Sequence, residues 1–126
     1  MKTNMVAWFE IPVNDMDRAK FFYDAVFNIN INVQDFGGVM MGFFPSLKDG
    51  PGAMGSLIKE DSYTPSHEGT MIYFSSDDLQ IELDKVEKAG GKILQEKTEI
   101  SPDHGYMGVF QDSEGNRLAL YSHPKT

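Results

Sequence analysis

Few side chains in this sequence are equipped for chemistry, and Glu10 has the most unusual setting among them. It lies in the run Val6-Ala7-Trp8-Phe9-Glu10-Ile11-Pro12. The alternation reads as a strand with Val6, Trp8 and Glu10 on one face and Ala7, Phe9 and Ile11 on the other. A carboxylate sharing an inward face with a tryptophan must find water or a partner, because burying it alone is costly. A Tyr hydroxyl, Lys59 and Arg117 are the partners on offer. In an apolar setting such a carboxylate can act as a general base, taking a proton alpha to a carbonyl or activating water. A structural hydrogen-bonding role competes with that reading. The three histidines, His67, His104 and His123, have no i,i+2 or i,i+4 pairing and read as surface residues rather than as a metal site. The absence of cysteine excludes disulfides, thiolate metal sites and a cysteine nucleophile. No Gly-rich phosphate loop, P-loop or nucleophile elbow occurs.

The elements that hold Glu10 occur twice. The strand pattern Met5–Met16 and the pattern Thr70–Leu79 each end in Asx residues, at Asn14-Asp15 and Asp77-Asp78, and Trp8 and Met71 stand 63 residues apart at matching positions. Asp15 or Asn14 caps a helix expected over about 16–27, with Met16, Ala19, Phe22, Tyr23 and Val26 as its apolar stripe. Strands are expected at about 29–36, 38–45 and 53–60, and residues 61–69 read as a linker. The second half repeats the order. A strand at 70–76 precedes a helix at about 79–89 that is stopped by Gly90-Gly91, and strands follow at about 92–99, 105–112 and 116–123. Asp84 and Lys88 are spaced as an exposed i,i+4 pair. Asp112-Ser113-Glu114-Gly115-Asn116 reads as a turn, since it lacks the spacing and closing glutamate of a calcium loop.

The expected fold is therefore α+β: one domain over 1–126, with module one at about 1–60 and module two at about 70–126. Each module is βαβββ, and the two form a curved eight-stranded cup with the helices on its outer faces. A cleft between two similar halves is the natural place for a ligand. The net charge of −8 repels nucleic acid and anionic lipid, and with two arginines there is little provision for phosphate recognition. No apolar run is long enough to span a bilayer and no signal peptide is evident, so a cytoplasmic location is expected.

Three segments carry a family resemblance: Phe9 through Tyr23, Val86-Glu87-Lys88-Ala89-Gly90-Gly91-Lys92-Ile93, and Asp112 through Leu120. Together they resemble the vicinal oxygen chelate superfamily of glyoxalase I, bleomycin-resistance proteins, fosfomycin-resistance enzymes and extradiol dioxygenases. The similarity is greatest to a glyoxalase-related branch of small bacterial proteins. In the metal-using families, four inward strand positions chelate a divalent ion. The matching positions here are Trp8, Ser56, Met71 and Ala119. None is His, Asp or Glu, so the resemblance implies a member without that metal site and without a cofactor.

By strand parity and the family match, the cup is lined by Trp8, Glu10, Ser56, Met71, Tyr73, Ala119 and Tyr121, with Met41, Phe43 and Tyr106 as further candidates. This is a mostly apolar, aromatic lining of the kind that binds small molecules. The competing reading is a cup packed shut by these side chains. The leading functional expectation is a metal-independent small-molecule binding protein, a homodimer by family resemblance, that takes an apolar or aromatic ligand between the modules. The alternative is a glyoxalase-related enzyme of lyase or isomerase type, acting on a small carbonyl or aromatic compound with Glu10 as base. A divergent metalloenzyme with ligands at other positions is a third reading.

Overall fold

A computed structural model describes residues 2–124. The first module runs β1 (Trp8–Pro12), α1 (Met16–Phe27), β2 (Asn32–Asp35), β3 (Met40–Phe43) and β4 (Met54–Lys59). The second runs β5 (Tyr73–Ser75), α2 (Leu79–Val86), β6 (Lys92–Ser101), β7 (Gly105–Gln111) and β8 (Arg117–Ser122). Each forms a four-stranded sheet, ordered β1-β4-β3-β2 and β5-β8-β7-β6, and each has one parallel pairing, β1 with β4 and β5 with β8. The α+β class and the duplicated βαβββ order match the expectation from the repeat. The ladders also fix which residues are equivalent. Glu10 pairs with Ser56 and Tyr73 pairs with Ala119. Since Glu10 and Tyr73 are 63 residues apart, Ser56 is the counterpart of Ala119, and two residues earlier Met54 is the counterpart of Arg117.

Each helix forms where its cap and stripe direct it. Asp15 is extended and its side chain accepts from the N–H of Arg18 at 3.0 Å, while Asn28 ends α1 in the left-handed region at φ 54°. Asp78 caps α2 by accepting from Gln80 N–H. The stripe residues Ala19, Phe22, Tyr23 and Val26 of α1 and Leu79, Leu83 and Val86 of α2 are completely buried. They join one core with Ile11, Leu57, Phe110 and Leu120. Rings from α1 reach into both sheets: Tyr23 meets Phe44 edge-on, Phe27 lies 4.9 Å from Phe74, and Phe22 stacks on Phe110 at 6.0 Å. The two modules thus share a single helical core. On the other side of each sheet no helix lies.

The boundaries differ from the expected ones where side chains compete for the backbone. Residues 29–31 are not strand: the Ile31 N–H donates to Asp24 and its carbonyl accepts from Lys20, so α1 holds the segment that the apolar pattern assigns to β2. The helical hydrogen bonding of α2 gives way after Val86, and the chain turns at Gly90, φ +106°. Asp84 takes its hydrogen bond from Gln80 rather than from Lys88.

The turn between β7 and β8 is a clamp. Glu114 accepts from the N–H groups of Asn14 and Asp15 at 2.9 and 2.8 Å and from the Arg18 Nε at 2.7 Å. Asn116 donates to the Pro12 carbonyl, and Tyr23 donates to Asp112 at 2.6 Å. A carboxylate on the N–H groups of Asn14 and the N-cap Asp15, just before the first turn of α1, satisfies donors that the helix cannot satisfy internally, and it complements the helix dipole. This turn therefore fastens module two to the helix start of module one.

Candidate functional site

The sheet faces opposite the helices carry the residues singled out by strand parity. In β1, Phe9, Ile11 and the following Val13 turn toward the core, while Trp8 and Glu10 point the other way and are exposed. Beside Trp8, 40% exposed, stand Phe43 at 6.0 Å edge-on and Met54; Phe36 meets Phe43 in turn. Ser56 is buried beneath these neighbours, and its hydroxyl has no hydrogen-bond partner. On the second sheet Ala119 is buried between Tyr73 and Val109, Tyr73 is 49% exposed, Met71 is half-buried and Tyr121 packs edge-on against His123. In the single chain Trp8, Glu10 and Tyr73 are exposed on these faces, while Ser56 and Ala119 are buried. Trp8 and Ser56 lie on one sheet and Tyr73, Ala119 and Tyr121 on the other.

A cleft of about 190 Å³ opens where the modules meet. β1 supplies Glu10, Ile11 and Pro12; the linker supplies Thr64, Ser66, Glu68 and Thr70; β8 supplies Arg117 and Leu118. The linker is held against β8 by Arg117 N–H donating to the Ser66 carbonyl and Ser66 N–H donating to the Asn116 side chain. Of the residues expected to line the cup, Glu10 is the one found in this cleft. The linker residues were invisible as site residues from sequence. Arg117 was visible only as a possible partner for Glu10, and the two make no ion pair. The Arg117 Nε is buried without an acceptor. Leaving such a donor unsatisfied costs about 1–3 kcal/mol.

A second cleft lies between residues 2–7 and the loop 46–52. It is rimmed by the exposed side chains of Met5, Val6, Leu47 and Met54. The histidines stay apart: His67 bonds Gln111, His104 bonds Ser101, and His123 lies beside Tyr121.

The family model for the Glyoxalase/Bleomycin resistance protein/Dioxygenase superfamily matches residues 5–120. The chain belongs to this superfamily. A glyoxylase-like domain-containing protein from Didymella fabae is 29% identical over 124 residues, covering 94% of both chains. An antibiotic binding protein from a Streptomyces species superposes with a TM-score of 0.64 at 21% identity, covering 98% of each chain. Glyoxalase I from Zea mays superposes with a TM-score of 0.72 at 16% identity, over 92% of this chain and 45% of that one, so this chain spans about half of that enzyme. At these identities the two solved structures establish the fold alone.

The metal that many superfamily members hold does not fit the donors present. An indole, a thioether, a methyl group and one hydroxyl occupy the matching positions Trp8, Met71, Ala119 and Ser56. Among the described residues no three His, Cys, Asp or Glu side chains gather in a group that could hold an ion. No described helix is long and apolar enough to cross a membrane.

Proposed function

We propose that this chain is a small-molecule binding protein that works without the superfamily's metal site and takes an apolar or aromatic ligand on the open sheet faces. The observation that carries this reading is the exposed apolar surface of Trp8, Phe36 and Met54, backed by the half-buried Phe43, on the helix-free side of the first sheet. A flat ligand stacking there would cover apolar area now in water and gain from aromatic contact. Tyr73 and Tyr121 offer a similar surface on the second sheet, with hydroxyls to orient polar groups. A solved neighbour described as an antibiotic binding protein supports the class of function.

The test uses Trp8, the only tryptophan, as its own reporter. Titration with a panel of flat aromatic compounds should change its emission saturably, and Trp8→Ala should weaken binding by about 1–3 kcal/mol. Because Trp8 is 40% exposed, the same substitution should cost less stability than emptying a buried site. A panel that leaves the emission unchanged removes this reading.

The placement of Glu10 and Arg117 in one cleft favours a second reading, a glyoxalase-related enzyme with Glu10 as general base. It requires turnover of a small carbonyl compound that Glu10→Gln abolishes while binding is retained.

A further inference from the structure

The junction cleft has a composition that the open faces do not share. Arg117 lines it with a buried Nε that lacks an acceptor, although the chain carries 19 acidic residues. Glu10 and Glu68 line the same cleft, and among the described residues neither carboxylate has a hydrogen bond or an ion pair. The fold does not demand an arginine at this place. By the 63-residue offset between the modules, the equivalent residue of the first module is Met54. Nor does Arg117 clamp the modules together, since that work falls to Asp112, Glu114 and Asn116.

One cation and two anions, unpaired around an open cleft, call for a ligand with the opposite arrangement. A simple anion would meet Arg117 but also two carboxylates of its own sign. A simple cation would leave the Arg117 guanidinium without a counter-charge. A molecule with both charges meets each group with its complement. Pro12 and Ile72, both half-buried, complete the wall and offer apolar area to an aliphatic portion, while Ile11 and Leu118 turn into the core. We propose that the junction cleft binds a small zwitterion of the α-amino acid type, its carboxylate on Arg117, its ammonium between Glu10 and Glu68, and its aliphatic side chain against the apolar wall. The inference stands apart from the open-face reading, because its ligand sits elsewhere and its test reads other groups.

Solution NMR separates the possibilities. The Arg117 Nε–H and the backbone N–H groups of Ser66 and Arg117 are the reporters, and L-leucine, 4-methylpentanoate and 3-methylbutylamine are the probes. Leucine carries both charges, and each analogue keeps the aliphatic part with only one. Leucine should shift the reporters saturably, and both analogues should bind at least tenfold more weakly. Arg117→Met, which installs the residue of the first module, and the double variant Glu10→Gln/Glu68→Gln should each weaken leucine at least tenfold, with amide shifts elsewhere showing the fold intact. Trp8→Ala should leave leucine binding unchanged. Absence of a saturable leucine shift overturns the proposal. So does an analogue that binds as tightly as leucine, or leucine binding that survives Arg117→Met.

Discussion

Glu114 is the residue on which the union of the modules turns. Its side chain is fully buried while that of its partner Arg18 is 53% exposed. Burial pushes its carboxyl upward, but hydrogen bonds from Arg18, from the Asp15 and Asn14 N–H groups and from Ser113 outweigh that and hold it below the usual glutamate range. A carboxyl lowered by folding stabilises the native state above its unfolded pKa, about 4.3, and that contribution is lost as pH falls through the lower folded value. Thermal unfolding followed from pH 7 down to pH 3 should show this loss. Glu114→Gln should be less stable by about 2–3 kcal/mol at pH 7, since it weakens the Arg18 contact and the hydrogen bonds from the Asn14 and Asp15 N–H groups. It should also flatten the acid slope, and a variant with the wild-type slope would contradict the assignment. Tyr23 is a neutral counterpart. Burial first, and then the charge of Asp112, raises its hydroxyl well above the ordinary tyrosine range. Its bond to Asp112 is therefore a donated one at every working pH, and Tyr23→Phe should cost about 1–2 kcal/mol.

Among the elements, α1 sends aromatic rings toward both sheets. Adjacent phenylalanines on it provide an internal control. Phe22 is fully buried against Tyr23 and Phe110, and Phe21 is 63% exposed. Phe22→Ala should destabilise by about 3–5 kcal/mol, as large-to-small core changes do, and Phe21→Ala by no more than about 0.5 kcal/mol. Denaturant unfolding of the two variants checks this directly, and similar losses would mean that α1 is rotated from the orientation described. The second sheet adds a steric constraint of its own. Gly105 starts β7 at φ +87°, and a Cβ there would lie 2.2 Å from the Ser122 carbonyl, so the hairpin admits only glycine at that point.

Considered as a whole molecule, the chain has helices on one side of its sheets and apolar residues in water on the other. Trp8, Phe36, Met54 and Tyr73 are each 40% exposed or more. A second copy laid against these faces would cover them and close a cup over a bound ligand, and the homodimer expected from the family resemblance is proposed here on that ground. Light scattering during size-exclusion chromatography at micromolar concentration should give twice the chain mass. Replacing Trp8 and Phe36 together by glutamate should give the single chain with its secondary structure retained. A wild-type protein that runs as a single chain at all concentrations would rule the dimer out.

Local periodicity and capping chemistry let the sequence determine both helices and the duplicated βαβββ order. The signals for α1 lie within one stretch, from the cap at Asp15 through the stripe to Val26, so neighbours a few residues apart suffice. Strand parity was legible for the same reason: Trp8 and Glu10 alternate with Phe9 and Ile11 whatever the rest of the chain does. The tertiary structure alone decided what those faces meet. Glu114 and Arg18 are 96 residues apart, and Asp112 and Tyr23 are 89 apart, so the clamp left no local pattern beyond a turn. The junction cleft is built from a strand end, a linker and another strand start, and Glu10, Glu68 and Arg117 line it together only because those edges converge. That the open faces stay in water was likewise beyond the sequence, because the alternation that marks a strand is the same whether its second face meets solvent, a ligand or another copy of the chain.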